Sequence, residues 1–245
     1  MGKNILVKLK KKLIFTKDEF MTLLSSKSSI YICYLNPLNY FIYRKDFKLL
    51  ESLSYIYIDG IFFTFLLSIF YSQRIQRLSF DINFLADDIF KYCIKHNKSV
   101  FFAGGTSSEI KVFIRKIRDI YGELNISGYC DGYKTDDEII QKWIESGKSD
   151  LFLVGLGNKR QEYFVKKLKD LNEKVFAMSC GAFITQTANS QGISYYPELV
   201  YRFNLRWLYR ILRDKKVFKR VVIYYPISLI FLIYDFLKWK FYDKS

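Results

Sequence analysis

The stretch DLFLVGLGNKRQEYFV, residues 150–165, decides the fold. Its apolar run ends at Gly155 and Gly157 and passes directly into a charged segment with helical spacing. A continuous apolar run is typical of a strand that is buried on both faces of a parallel sheet. A glycine turn from such a strand into a helix forms a crevice where a phosphate group can approach the backbone. The stretch therefore predicts an α/β fold with a ligand site at this turn.

The same alternation of strand and helix recurs along the chain. Apolar runs of strand length lie at 30–36, 54–59, 99–105, 125–130 and 174–180, and helical patterns lie between them at 61–71, 82–96, 106–120, 135–146 and 159–172. Thr106 and Thr135 are each followed by glutamate three residues later, which is the capping-box pattern of a helix start. The alternation predicts a Rossmann-like, largely parallel sheet flanked by helices over residues 1–195. Residues 196–245 are predicted to form a C-terminal basic helical appendage.

The charge of the chain predicts an anionic partner. The 245 residues carry a formal net charge of +15, and half of them are hydrophobic. From Pro197 onward, 11 Lys and Arg residues stand against four Asp and Glu residues, interleaved with aromatic and aliphatic ones. This pattern favours an anionic membrane surface over nucleic acid. Residues 221–234 are uncharged, but the run is too short to cross a bilayer and contains Pro226, so we expect peripheral attachment.

Cysteine and histidine usage argues against metal and histidine-based chemistry. The four cysteines are widely spaced, and His96 is the only histidine in the chain. Neither residue type forms the close pairs that zinc sites require. We therefore expect free thiols in a reducing compartment, no metal site and no bound cofactor. No signal peptide is recognisable, so the chain is expected to face the cytoplasm.

Polar residues and glycines follow the predicted strands, and the carboxyl ends of parallel strands meet at one edge of a sheet. These candidate site residues are Asn36, Asp59, Gly104, Gly105, Thr106, Asp131, Gly155, Gly157 and Gln161. Glycines and a helix start can bind phosphate, and a carboxylate at the crevice can act as a general base on a sugar hydroxyl. Asp-Gly pairs also form ordinary turns, and Gln161 can either cap backbone or bind ligand. Glu162 is expected to pair with Lys166 one helical turn later.

The strand ends, taken in order, resemble the WecG/TagA/CpsF family of bacterial glycosyltransferases over residues 30–220. The motifs that carry the resemblance are LN at 35–36, DG at 59–60, FFAGGTSSE at 101–109, GYCDGY at 128–133, LVGLGNKRQE at 153–162 and LRWLYRILRD at 205–214. The resemblance implies transfer of a sugar from a UDP-sugar to a polyprenyl-diphosphate-linked saccharide at the cytoplasmic face of the bacterial membrane. Such reactions build teichoic acid, capsule and related surface polysaccharides.

The resemblance also implies roles for particular residues. It implies an inverting, metal-independent reaction in which Asp59 is the general base on the acceptor hydroxyl. Asn36 and Gln161 would bind donor or acceptor groups. Arg210, on the appendage, would approach the UDP leaving group, where developing negative charge on the diphosphate needs a cation. The sequence leaves open the donor sugar, the acceptor, the polymer pathway and whether the chain forms a homo-oligomer.

This chain departs from the family pattern at several positions. Lys159 stands where the signature has proline, and Tyr34 stands where a threonine often accompanies the asparagine. Arg206 and Val217 lie where the family commonly has glutamate and a basic residue, so the docking of the appendage is harder to carry over.

Two alternatives to the transferase remain at this stage. The first is a nicotinamide-dependent oxidoreductase, but the chain lacks the third glycine of a dinucleotide fingerprint and its acidic ribose partner. The second is a non-catalytic basic protein that binds nucleic acid or membranes, although no stacking platform or nucleic-acid module is recognisable.

Overall fold

Six parallel strands form one sheet in the order β2-β1-β6-β5-β3-β4. The computed structural model describes residues 4–190 and 218–242, together with residues 200, 202, 203, 205, 208, 209 and 212. The strands are β1 Ile30–Leu35, β2 Tyr55–Ile58, β3 Val100–Gly104, β4 Ile126–Cys130, β5 Leu151–Gly155 and β6 Phe176–Ser179. The predicted parallel α/β fold is confirmed, and all six strands lie within the predicted runs.

Helices connect the strands and cover both faces of the sheet. They are α1 Ile5–Lys12, α2 Lys17–Leu24, α3 Pro37–Lys45, α4 Phe47–Ser52, α5 Ile61–Tyr71, α6 Leu85–Lys95, α7 Ser107–Ile120, α8 Asp136–Glu145, α9 Arg160–Asp170, α10 Phe183–Asn189 and α11 Tyr225–Tyr242. Both predicted capping boxes are present, at the start of α7 and of α8. Sequence patterns did not predict α1 to α4 or α10, because their amphipathic runs are shorter than three helical turns.

Strands β1, β3, β5 and β6 are buried on both faces, which explains their continuous apolar runs, whereas edge strand β4 is only half-buried. In β5, Phe152 and Val154 pack into the core on one side, under α1, α3, α8, α9 and α11. Leu151 and Leu153 pack into the core on the other side, under α2, α6, α7 and α10. The fold is therefore a three-layer α/β/α arrangement around the sheet.

The connections from β5 and β3 run in opposite directions, to β6 on one side and to β4 on the other. Such a divergence leaves a crevice above the carboxyl ends of the two strands. Gly104 and Gly155 are paired in register there. A Cβ on Gly104 would lie 2.7 Å from the carbonyl oxygen of Gly155, so a side chain cannot be accommodated at this contact. The glycine is needed for close packing at the base of the crevice.

The C-terminal helix is apolar, which corrects the prediction of a basic helical appendage for its described part. The span Val221–Phe241 has a mean hydropathy of 1.6 over its most apolar window, and by length and composition it could cross a membrane. A π-helical turn at Arg220–Tyr224 leads into α11, so Pro226 lies near the start of the α-helix and does not interrupt it. The uncharged run 221–234 is therefore part of a longer apolar helix than the sequence suggested.

One side of α11 is docked on the body of the fold. Asp235 is buried, and its carboxylate accepts hydrogen bonds from Nε of Arg44 at 2.8 Å and from the Tyr40 hydroxyl at 2.6 Å. Nearby, Phe70 stacks on Phe236 with ring centroids 3.9 Å apart. These contacts hold α11 against α3 and α5. The predicted boundary between residues 195 and 196 lies outside the described residues.

Candidate active site

A cavity of 970 Å³ lies at the carboxyl ends of the strands. The ends of all six strands contribute to its lining, through Asn36, Asp59, Gly105, Gly132, Gly155 and Gly181. The expectation that the strand ends share one edge is confirmed. The cavity therefore brings together, from positions far apart in the chain, five of the residues that the sequence singles out, namely Asn36, Asp59, Gly105, Gly155 and Gly157.

Asp59 lies at the end of β2 and faces the cavity beside Arg77. The Nη2 atom of Arg77 lies 3.4 Å from Oδ1 of Asp59, and the carboxylate side chain is about one-third exposed. Arg77 lies on the segment after α5 that runs along β2, where the amide of Leu78 donates to the carbonyl of Ile58. The arginine therefore restrains one carboxylate oxygen from a rigid edge of the sheet. Its side chain also places a positive charge in the cavity.

Asn36 lines the cavity and also begins α3. Its Oδ1 accepts a hydrogen bond from the backbone N–H of Asn39 at 2.9 Å, so the side chain caps the helix. Tyr34, two residues earlier, lines the cavity beside Gly181. The cap fixes the position of the Asn36 side chain at the edge of the cavity.

The glycine turns form the wall on the β3 and β5 side. Gly105, Gly155 and Gly157 line the cavity, and Gly157 has a left-handed φ of 83°. Gly104 packs behind this wall. Thr106 caps α7, where its backbone N–H donates to Oε2 of Glu109 at 2.8 Å. The hydrogen-bonding groups of Thr106 are thus engaged by the helix start.

The β4–α8 loop covers the crevice and is held by Arg160. Asp131 accepts the backbone N–H of Tyr133 at 3.0 Å, which is a local turn, and the neighbouring Gly132 and Tyr133 line the cavity. The guanidinium of Arg160 donates to the carbonyl of Gly132 at 2.5 Å and to Oδ1 of Asp136 at 2.9 Å. Arg160 therefore ties the loop from β4 to the first turn of α9.

Gln161 and Glu162 are both fully buried behind the cavity wall. The Gln161 amide donates to Oε1 of Glu162 at 2.8 Å, and the Asn39 amide donates to the same oxygen at 2.6 Å. Lys166 pairs with Asp170 instead, so the expected pairing of Glu162 with Lys166 was wrong. The sequence did not indicate that the carboxylate of Glu162 is buried. It is buried because the helix turns this position toward α3 rather than toward solvent.

Lys159 precedes α9 in a left-handed backbone conformation, with φ 74° and ψ −56°. Proline fixes φ near −65°, so it could not adopt this conformation. The loop between β5 and α9 therefore has, at position 159, a backbone conformation that the family's proline could not adopt.

An apolar wall faces these polar groups across the cavity. It is formed by Ile61, Phe62, Phe63 and Phe65 of α5, together with Val221 and Tyr225. Phe62 and Phe65 are also 58% and 60% exposed, so the wall continues onto the outer surface. The cavity thus opens beside a surface that suits a lipid better than water.

Some predicted residues cannot be placed. Arg210, Arg206 and Val217 lie outside the described residues. Within the part of the chain that the structure describes, no three His, Cys, Asp or Glu side chains come together as a metal site would need.

Three cavity residues, Arg77, Asn158 and Arg160, were not predicted from the sequence. Arg77 lies in a segment without strand or helix periodicity, and no local motif indicates that it turns back to Asp59. Asn158 and Arg160 lie inside the quoted stretch, so their position beside the glycine turn was the available signal.

Most of the chain is similar to known proteins. The model of the family described as Glycosyl transferase WecG/TagA/CpsF family matches residues 12–242. A UDP-Gal:alpha-D-GlcNAc-diphosphoundecaprenol beta-1,4-galactosyltransferase of Shigella boydii is 34% identical over 197 residues, which cover 80% of this chain and 82% of that protein. An N-acetylglucosaminyldiphosphoundecaprenol N-acetyl-beta-D-mannosaminyltransferase of Bacillus subtilis (strain 168) is 28% identical over 205 residues, which cover 82% of this chain and 77% of that protein.

Proposed function

This chain belongs to the WecG/TagA/CpsF family of glycosyltransferases, and we propose that it transfers a sugar from a UDP-sugar to a polyprenyl-diphosphate-linked saccharide. The observation that carries this proposal is the cavity in which Asp59 and Arg77 face an apolar wall. The carboxylate suits a sugar hydroxyl, the cation suits a diphosphate, and the apolar wall suits the lipid chain of the acceptor.

We propose that Asp59 is the general base of an inverting displacement. Its carboxylate takes the proton from an acceptor hydroxyl. The hydroxyl oxygen then forms a bond to the anomeric carbon of the donor, as the bond between that carbon and the UDP oxygen breaks. Attack on the face opposite the departing UDP inverts the configuration. Arg77 holds one oxygen of Asp59, which leaves the other to approach the acceptor.

The donor side of the proposal uses the glycine wall. Gly105, Gly155 and Gly157 would let the nucleotide diphosphate approach the backbone. Four residues behind this wall would shape it without contacting the ligand, namely Gly104, Thr106, Asp131 and Gln161. Asn36 would contact the donor or the acceptor at the edge of the wall. Arg160 and Arg210 would offset the charge that develops on UDP, so we propose a reaction that continues when divalent ions are chelated.

The acceptor side of the proposal uses the apolar surface beside the cavity. Exposed apolar side chains of α5 adjoin those of α11, through the stacked pair Phe70 and Phe236. We propose that this surface rests in the cytoplasmic leaflet of the bacterial membrane, and that basic residues near it bind anionic headgroups. Because Asp235 is paired within the fold, α11 would lie on the membrane rather than cross it.

The names of the relatives suggest the first substrates to test. One is named for transfer of galactose and the other for transfer of N-acetylmannosamine, both to N-acetylglucosamine on diphosphoundecaprenol. We propose that this chain uses a hexose or N-acetylhexosamine donor with an acceptor of this class, in the synthesis of a capsule, teichoic acid or exopolysaccharide.

The test measures UDP released from a panel of UDP-sugars by the purified protein in detergent, with a synthetic polyprenyl-diphosphate N-acetylglucosamine acceptor. We expect acceptor-dependent release with one donor, and no loss of rate when EDTA is added. Absence of release with every donor would contradict the proposed function. Full dependence on an added divalent ion would contradict metal independence alone.

Variants of two cavity carboxylates test the assignment of the base. Asp59→Asn is expected to lower the turnover rate by about 10²- to 10⁴-fold while UDP binding is retained. Asp81→Asn is the matched control, because Asp81 also lines the cavity. If Asp81→Asn abolishes transfer and Asp59→Asn does not, the base has been assigned to the wrong carboxylate.

A further inference from the structure

Four buried or half-buried side chains connect α3 with the start of α9 and the loop before it, at the edge of the cavity. Asn158, which lines the cavity, donates from Nδ2 to Oδ1 of Asn39 at 3.1 Å. Asn39 donates to Oε1 of Glu162, which also accepts from Gln161. We call Asn39, Asn158, Gln161 and Glu162 the polar cluster. It joins the start of α3 to the loop between β5 and α9.

Two acceptors in the polar cluster are unsatisfied. Among the described residues, Oε1 of Gln161 and Oε2 of Glu162 are buried side-chain atoms without a hydrogen-bond partner. Buried polar atoms are nearly always paired, because an unpaired one loses its hydration without replacement. A proton on Oε2 of Glu162 would turn one of the two acceptors into a donor, and the adjacent Gln161 amide oxygen is an acceptor.

The surroundings of Glu162 favour the uncharged acid. Burial raises the pKa of Glu162 to about 7, against opposing hydrogen bonds from Gln161, from backbone N–H groups and from Asn39. The titratable groups that face it are Cys33 on β1 and Tyr43 on α3, and burial raises the pKa of both well above their ordinary values. Neither group therefore contributes a charge near neutral pH.

We propose that Glu162 is a positioning residue that acts as an uncharged carboxylic acid, holding Asn39 and Asn158 in place through the polar cluster. Loss of its proton leaves a buried charge whose Oε2 lacks a donor, and the loop from Gly155 to Lys159 then loosens. Since this loop lines the cavity, the ligand that binds there is released more readily. The link to catalysis rests on the proposed function, whereas the protonation of Glu162 does not.

The first experiment measures UDP binding by calorimetry from pH 6 to pH 8 for the intact chain and for Glu162→Gln. Glutamine keeps the accepting oxygen and supplies a permanent donor, so the variant mimics the acid. We expect the affinity of the unmodified chain to fall about tenfold over this range relative to Glu162→Gln. Taking the ratio cancels the titration of UDP itself. Glu162→Ala is expected to bind weakly at every pH.

The second experiment measures protonation directly. The infrared band of a protonated carboxylic acid is followed against pH in the unmodified chain and in Glu162→Gln, with the exposed Glu123→Gln as the matched control. We expect a band that disappears near pH 7 and is absent only from Glu162→Gln.

Two results would overturn the inference. One is a Glu162 that is already ionised at pH 6 by infrared absorption. The other is an unmodified chain and a Glu162→Gln variant with the same pH dependence of UDP affinity. If UDP does not bind at any pH, the proposed function fails, and the infrared titration still decides the state of Glu162.

Discussion

At the scale of the residue, Lys159 has an unusual backbone conformation in the loop between β5 and α9. Its φ of 74° is unfavourable for a residue with a Cβ, and this backbone directs the chain from Gly157 into α9. The lysine side chain makes no capping hydrogen bond to the helix, so the conformation is imposed by the surrounding fold. Glycine would adopt this backbone without strain, whereas proline could not adopt it.

Glycine and proline at position 159 should therefore have opposite effects on the stability of the protein. Lys159→Gly is expected to raise the free energy of unfolding by about 1 kcal/mol, since the strain outweighs the added chain entropy. Lys159→Pro is expected to lower it by more than about 1 kcal/mol. Urea denaturation followed by circular dichroism measures both. A stabilising proline would show that the loop has a different backbone in solution.

Sequence reasoning identified the residues that end strands, because strand ends follow from apolar runs and glycines. Asp59 and Asn36 directly follow neighbouring strands of the sheet, so their position at the same edge could be predicted. The partners of Asp59 and Glu162 could not be foreseen. Arg77 and Asn39 reach them through tertiary packing, which leaves no periodic signal in the local sequence.

At the scale of elements, α7 and α8 were predictable because their start signals are local. Each has a threonine cap and a glutamate three residues later, and both capping boxes formed. The docking of α11 depends instead on Asp235, whose partners Tyr40 and Arg44 lie 195 and 191 residues earlier in the chain. An acidic residue in an apolar helix gave no indication of which element it would face.

The Asp235 contact should be the main polar anchor of α11. Asp235→Ala is expected to lower the free energy of unfolding by about 3 kcal/mol, because it leaves Arg44 and the Tyr40 hydroxyl without this partner in a largely buried setting. Hydrogen exchange of α11 amides should accelerate more than that of β5 amides. Asp170→Ala is the comparison, because Asp170 is exposed and pairs with Lys166 on the surface of α9, so a change of less than about 1 kcal/mol is expected. Equal effects of the two substitutions would mean that α11 is held by apolar packing alone.

At the scale of the whole molecule, the fold class was predictable, and the surface proposed to face the membrane was only partly so. Regular alternation of buried strands and helices is typical of a parallel sheet. The basic and aromatic composition of the last fifth of the chain predicted binding to a membrane, with charged residues as the main contact. The described part of that region presents apolar side chains instead, and α5 contributes to the same surface.

Binding to liposomes should follow this shared surface. Phe62→Ser with Phe65→Ser is expected to weaken binding to vesicles containing anionic lipid at least tenfold, since two exposed aromatic side chains no longer insert. Val112→Ser, on α7 in the opposite layer, should leave binding unchanged. High salt should release the unmodified protein only in part, as measured by sedimentation with vesicles. Complete release by salt would mean that the aromatic side chains do not penetrate the bilayer.

The docking of α11 also affects the order in which the protein folds during its synthesis. Synthesis proceeds from the amino terminus, and domains begin to fold before the ribosome has finished. The apolar surfaces of α1, α3 and α5 are made early, whereas α11, which covers them, is made after every other described element. The nascent chain therefore carries an uncovered apolar face while its sheet is assembling. If the ribosome is close to a membrane, the lipid surface would cover that face temporarily. The protein would then be bound to the membrane before its fold is complete.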